Sequence, residues 1–273
     1  IITITIKNNN GSIYHTWGTK EFNADKCTQS VLYRKCADER DLLLDFLEYW
    51  ENHIPDILTG WYSDSFDIPY IVNRIRRILG DDAILGLSPW RRVEVNDKKI
   101  AGKEIPGFNI VGVSQLDYID LFKKFTLNTL GQQESYKLDH IANVVLGEKK
   151  LDYSEHGSLH LLYKHDYQKF VEYNIKDVEL VDKLEDKLGL IDLVLTMAYR
   201  AKCSLGETLG TVGIWDAILY NEFKKRKIAV PPKKLSSYTD SIEGGYVKEP
   251  QVGMHEWVVS FDLNSLYPHL IMQ

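Results

Sequence analysis

Apolar and polar residues alternate at the start of the chain, where Ile2, Ile4 and Ile6 interleave with Thr3 and Thr5. A period of two predicts a half-buried strand. Residues 8–12 supply turn chemistry, and residues 12–17 read as the returning strand of a hairpin. The period then changes. Within residues 41–50, Leu42, Leu43, Phe46, Leu47 and Trp50 follow helical spacing, and Pro55 stops the helix. "DILTGW" predicts a short buried strand. "SFDIPYIVNRIRRILG" predicts a helix with Ile71, Ile75 and Ile78 on one face and Gly80 as its C-terminal stop. Residues 91–113, with Gly102 and Gly107, predict a projecting β-hairpin whose polar centre "NDKKIAGKE" buries little and makes a mobile tip. "SQLDYIDLFKKF" passes from strand to helix, and residues 135–146 and 166–188 predict further helices. The last of these carries Val178, Val181, Leu184 and Leu188 on its apolar face. Near the C-terminus Val258, Val259 and Phe261 predict a buried strand that ends in an acid, Asp262.

Strands that alternate with helices predict an α/β fold. The Pro-, Ser- and Lys-rich stretch "PPKKLSSYTDS", residues 231–241, predicts a linker or domain crossing. The chain begins with neither Met nor a signal-peptide pattern, and both ends look cut through ordered structure. It reads as a piece of a longer polypeptide.

Composition narrows the chemistry. A hydrophobic share of 44%, with 6 Trp and 16 Tyr, suffices for a packed core. No apolar run approaches the roughly 20 residues that cross a bilayer, so a soluble protein is expected. Cys27, Cys36 and Cys203 form no CxxC pair, which favours a reducing setting and argues against structural zinc. A formal charge of −6 argues against a nucleic-acid binder that works by net positive charge. Basic pairs and runs at Arg76-Arg77, Arg91-Arg92, Lys123-Lys124 and residues 224–227 read, one by one, as solvated faces. Carboxylates collected for metal ions, beside local basic patches, would give this mixture in a protein that holds DNA.

Two acids invite a choice. Asp67 follows a strand and precedes Pro69, a pattern that fits a helix N-cap as well as a functional carboxylate at a strand end. Asp177 lies four residues after Tyr173 on a predicted helix, so both side chains share one stripe. Alone, it also fits an ordinary acid on a solvated face.

Taken together the segments resemble a known family. "GWYSDSFDIPYI" resembles the second exonuclease motif of family B DNA polymerases, "YNIKDV" is similar to their third, and "FDLNSLYPHLI" is similar to polymerase motif A. "DYIDLFKKF", "IWDAILYNEF" and "GGYVKEP" fit the branch carried by large tailed bacteriophages. The resemblance implies an RNase H-like mixed sheet flanked by helices, the 3′–5′ exonuclease domain, over residues 1–189. A connecting helical segment would follow at 190–230, and the start of the polymerase palm at 231–273. It implies Asp67, Asp177 and Tyr173 as catalytic residues, with Asp67 and Asp177 converging to hold two Mg²⁺ or Mn²⁺ ions and Tyr173 orienting the attacking water. In motif A, Asp262 would bind metal, and Ser265, Leu266 and Tyr267 would meet the incoming nucleotide. The implied partners are primer–template DNA, single-stranded 3′ ends, dNTP and a sliding clamp reached through C-terminal regions beyond this chain. No membrane is implied, and the setting would be the cytoplasm of a bacterial host.

The sequence departs from the family pattern in places. No Asp-x-Glu pair of the first motif precedes the Ile-Thr strand, so this piece is expected to be a poor nuclease by itself and no polymerase. Tyr62 stands where the family usually has Asn, Ile242 replaces the Tyr of a Tyr-x-Gly-Gly pattern, and His269 takes the usual place of Ser. Two other readings stay open at this point. One is a stand-alone RNase H-like nuclease, and the other a non-catalytic DNA-binding module on the same scaffold.

Overall fold

The computed structural model describes residues 2–96, 107–231 and 244–273 in full, and the backbone alone of 98–100 and 103–105. The chain divides into two units, residues 1–230 and 231–273. In the first, β1 (Thr3–Lys7) runs antiparallel to β2 (Ile13–Gly18), with Thr3 opposite Gly18 and Lys7 opposite Tyr14. Strand β3 (Ser30–Lys35) joins β2 in parallel register, Ile13 beside Ser30. Helix α1 (Glu39–Asn52) follows, its first turn capped by the Asp38 carboxylate, which accepts from the Asp41 amide at 2.9 Å. The helical spacing of the sequence is realised here, since Leu42, Leu43, Phe46, Leu47 and Trp50 are all buried.

Strand β4 (Ile57–Gly60) leads through a π-helical turn, Ser63–Asp67, into α2 (Ile68–Leu79). The buried face of α2 is Ile68, Val72 and Ile75, while Ile71 and Ile78 pack beside it partly buried. The face is rotated from the sequence reading because α2 meets the core through more than one neighbouring element. Gly80, at φ 103°, terminates it in a backbone region that L-side chains avoid.

The expected hairpin is built from two ladders: β5 (Val93–Val95), β6 (Lys98–Ile100), β7 (Lys103–Ile105) and β8 (Phe108–Ile110), with β5 antiparallel to β8 and β6 to β7. Its base is anchored, with Phe108, Ile110 and Val113 in the core. The side chains of Lys98, Lys99 and Lys103, and with them the expected mobile tip, lie outside the described residues.

Strand β9 (Ser114–Asp117) pairs in parallel with β4, Gly60 beside Asp117, and runs directly into α3 (Tyr118–Phe125) and the single turn α4 (Leu127–Leu130). Helices α5 (Leu138–Leu146), α6 (Leu159–His165), α7 (Tyr167–Leu188), α8 (Leu190–Ala201) and α9 (Thr211–Lys225) complete the unit. The fold is mixed α/β, with small sheets and many helices, as the sequence predicts. Helix α7 joins two cores. Val171 and Ile175 pack with Tyr14 of the sheet, and Leu180 and Leu184 pack with α3, α5 and α8. Its buried stripe is therefore Val171, Ile175, Leu180 and Leu184, and Val178, Val181 and Leu188 are only partly buried beside it.

In the second unit residues 231 and 244–273 are described, and among them there is one helix, α10 (Leu266–Met272), preceded by irregular backbone. The buried strand expected at Val258, Val259 and Phe261 is absent there, and these side chains are 75%, 71% and 91% exposed. No strand among the described residues pairs with this stretch, and a lone strand has neither ladder hydrogen bonds nor a face to bury. Ile242 lies outside the described residues. Among the described residues no helix is long and apolar enough to cross a membrane.

Candidate active site

The first unit holds a cavity of about 1850 Å³. Strands β1 and β4 both line it without pairing to one another. Its floor brings together residues far apart in sequence: Asp67 from the turn after β4, Lys150 from the irregular segment after α5, and Tyr173 and Asp177 from α7. Asp67 enters the cavity from the turn that follows the carboxyl end of β4, and the whole of β4 lines it.

Asp67 is no helix cap. Its backbone is helical (φ −65°, ψ −49°) and its side chain makes no capping hydrogen bond, because the π-helical turn already satisfies the start of α2. Asp67 is exposed to the cavity, so solvent reaches its carboxylate even though the surrounding walls partly desolvate it. That desolvation, with the charge of Asp177 added, pushes its pKa up to about 6 against the pull of its own backbone amide and Lys150.

Asp177 shows the same conflict in a tighter setting. Burial raises its pKa, and Lys150 opposes the rise. Its Oδ2 accepts from Lys150 Nζ at 2.7 Å, while Oδ1 is buried without a hydrogen-bond partner among the described residues. Lys150 also donates to the Tyr173 hydroxyl at 3.3 Å. Burial works against the lysine's charge, yet Asp177 and Tyr173 hold its pKa above the ordinary value. The Tyr173 hydroxyl titrates higher than usual through burial and the neighbouring Asp177 charge, and Tyr153 packs edge-on against its ring at 5.4 Å.

Sequence reading missed Lys150. It sits in a stretch with no helical or strand period, so nothing in the pattern marks it. Its position is set from α5, where the Asp139 carboxylate accepts the Lys150 backbone amide at 2.8 Å. Asp117 was missed as well, although it is only 4% exposed. The carboxylate accepts from the Tyr62 amide at 2.9 Å, the Asp64 amide at 3.1 Å and the Ile119 amide at 3.3 Å. Beside the cavity Phe66 and Tyr70 stack with their rings parallel to within 4° at 5.9 Å, and both are exposed. Asp262, Ser265, Leu266 and Tyr267 belong to the second unit, where all are exposed.

The groups facing the cavity include oxygen donors suited to a metal. The donor set is oxygen-only, and Asp177 Oδ1 is a buried acceptor with an open valence, which suits a hard divalent cation in kind. It falls short in number. Among the described residues no group of three or more His, Cys, Asp and Glu is placed to hold an ion.

Comparison with known proteins places the chain in a family. Residues 4–141 match the model for the exonuclease domain of DNA polymerase family B, and residues 214–273 match that for DNA polymerase family B. The chain belongs to DNA polymerase family B. It is 38% identical over 245 residues to the DNA-directed DNA polymerases of Escherichia phage RB69 and Enterobacteria phage T4, covering 89% of this chain and 26% of each of those proteins. It is 26% identical over 250 residues to the DNA polymerase delta catalytic subunit of Candida albicans, covering 86% of this chain and 23% of that protein. The chain thus spans about a quarter (26%) of the length of the curated phage relatives it matches.

Proposed function

We propose that this chain is the 3′–5′ proofreading exonuclease part of a replicative DNA-directed DNA polymerase. Residues 1–189 would be the nuclease, 190–230 a helical connector and 231–273 the start of the palm. One observation carries the reading: Asp67, Asp177 and Tyr173, picked out by motif and far apart in sequence, face one cavity, and the charge of Asp177 acts on Asp67.

Phosphodiester hydrolysis needs a nucleophile at neutral pH and relief of charge on the leaving 3′-oxygen. Divalent cations such as Mg²⁺ or Mn²⁺, when bound, lower the pKa of water and neutralise that oxygen. Asp67 and Asp177 are the residues that would hold them. Tyr173, fixed by Lys150 and Tyr153, would orient the attacking water through its hydroxyl. The ammonium of Lys150 would offset phosphate charge beside Asp177. The stacked Phe66 and Tyr70 give a frayed 3′ strand an aromatic surface on which bases stack without regard to sequence. Two protein carboxylates are few for ions that take about six oxygens.

Strands β1 and β4 line the cavity in separate sheets, and among the described residues Thr3 Oγ1 and Thr59 Oγ1 are buried without hydrogen-bond partners, which leaves room in this reading for one more strand between them. We assign that place to a strand bearing the Asp-x-Glu pair that the resemblance implies. Without that strand the chain is expected to be a slow nuclease, since each 1.36 kcal/mol of lost transition-state stabilisation costs about tenfold in rate. In the second unit Asp262 would serve the polymerase metal site, and Ser265, Leu266 and Tyr267 the incoming dNTP. Primer–template DNA, a sliding clamp and a host cytoplasm are the partners and setting that follow for the whole protein. The match over residues 214–273 disfavours a stand-alone nuclease.

The test follows release of label from a 3′-end-labelled single-stranded oligonucleotide in Mg²⁺ or Mn²⁺. It compares this chain with a longer polypeptide that supplies the Asp-x-Glu strand. The longer protein should digest the strand from its 3′ end, and Asp67→Ala or Asp177→Ala should abolish digestion. Equal rates for the two lengths would overturn the assignment of ligands.

A further inference from the structure

Asp117 is a buried carboxylate with no ion-pair partner among the described residues, a costly arrangement unless donors surround it. The donors are backbone amides. One, from Ile119, caps α3. The other two, from Tyr62 and Asp64, belong to the turn that leads from β4 to α2. That turn is under conformational load. Tyr62 sits at φ 68° and ψ 21°, a left-handed region that bulky residues avoid. From there the backbone closes through Phe66 N to Tyr62 O at 3.0 Å and Ser65 N to Tyr62 O at 3.3 Å. Parallel pairing of Gly60 with Asp117 sets the acid against the start of the turn.

We propose that Asp117 is a positioning residue, whose carboxylate clamps the Tyr62 and Asp64 amides and so fixes the turn that presents Phe66 and Asp67 to the cavity. Both oxygens are needed. Oδ1 accepts from Tyr62 and Oδ2 from Asp64, so a side chain with a single acceptor restrains only one end of the turn. The choice of acid follows from this, since a charged acceptor makes stronger bonds to N–H groups than a neutral one. Its importance for DNA rests on the nuclease reading above, whereas the clamp itself does not.

The experiment compares the full chain with Asp117→Ala, Asp117→Asn and, as a control on the exposed neighbouring acid, Asp120→Asn. Two readouts are taken well below the unfolding temperature. The first is amide hydrogen exchange. In Asp117→Ala the Tyr62, Asp64 and Phe66 amides should exchange at least tenfold faster, while Leu121 and Phe122 in α3 keep their protection. Asp117→Asn should fall between Asp117→Ala and the parent. The second is anisotropy of a fluorescein-labelled oligothymidylate, whose binding should weaken in the same order and stay unchanged in Asp120→Asn. Unchanged exchange in the turn, or equal acceleration in α3, would overturn the clamp, the latter because it marks general loss of stability. If the parent chain does not bind the oligonucleotide, the nuclease reading fails, and the exchange pattern alone decides the clamp.

Discussion

The tripeptide Ser-Phe-Asp occurs twice, at Ser65-Phe66-Asp67 and Ser260-Phe261-Asp262, each time ahead of an apolar run. The two copies have different fates. The first ends a π-helical turn held between β4 and the buried face of α2, with Asp117 fastening its amides. The second lies in irregular, exposed backbone. Local sequence is shared, so it is not what builds the site. Neighbours do that: a parallel partner strand, a helix with a face to bury, and a buried acceptor for the turn. Where such neighbours are lacking among the described residues, Val258, Val259 and Phe261 have nothing to pack against.

The largest effect that separates the two regions should be packing. Phe122 is fully buried between Trp61 and Tyr136, and Phe122→Ala should cost about 3–5 kcal/mol in denaturant unfolding. Phe261→Ala should change stability by no more than about 0.5 kcal/mol. Similar costs at the two positions would erase the contrast.

Charge comes next. Lys150→Ala leaves the partly buried Asp177 without its cation and should destabilise the first unit by about 1–2 kcal/mol, a figure reduced from that of a fully buried pair for solvent screening. Titration of Asp177 by carboxyl-carbon NMR should move upward in the same variant.

A smaller effect appears in the pH dependence. Asp67 and Asp117 titrate near 6 in the folded chain, above the ordinary value of 3.8. Between those values the folded state holds more protons than the unfolded one. Their contribution is thus fully present below about pH 4 and is lost as pH rises through 6. Asp67→Asn should shrink this fall by less than about 1 kcal/mol, since solvent in the cavity screens the charge. An unchanged slope between pH 4 and 6 would show that Asp67 titrates normally.

The smallest effect concerns Tyr62, where the family usually has Asn, a residue that tolerates a left-handed backbone. Tyr62→Asn should raise stability by about 0.5 kcal/mol by relieving the strain at φ 68°. A loss of stability would show that the tyrosine ring contributes more than its backbone costs.

Much of the first unit was legible. Helices α1 and α7 and strands β1, β2 and β4 follow from periodicity, and motif order singles out Asp67 and Asp177, which line one cavity. What escaped reading depends on tertiary contact. The faces of α2 and α7 are rotated because each helix meets the core by more than one partner, and a single-helix pattern cannot show that. Lys150 is fixed by Asp139 and Asp177 across long sequence gaps, and its own segment has no period. Asp117 caps α3, a role that the passage from strand to helix in its segment does not by itself mark. Its second role needs Tyr62 brought within 2.9 Å by the pairing of β4 with β9. At Val258 and Phe261 the pattern was that of a strand, but a pattern supplies no partner.

The central claim is that Asp67 and Asp177 form one cation site, and Mn²⁺ binding followed by electron paramagnetic resonance tests it most directly. Four proteins suffice: the parent chain, Asp67→Ala, Asp177→Ala and the double variant. Residues that hold a common ion act as a unit, so their losses do not add. Each single variant should weaken Mn²⁺ binding by at least about tenfold, or 1.4 kcal/mol, and the double variant should be little worse than either. Losses that sum as for independent sites, or single variants that bind Mn²⁺ as the parent does, would contradict the account.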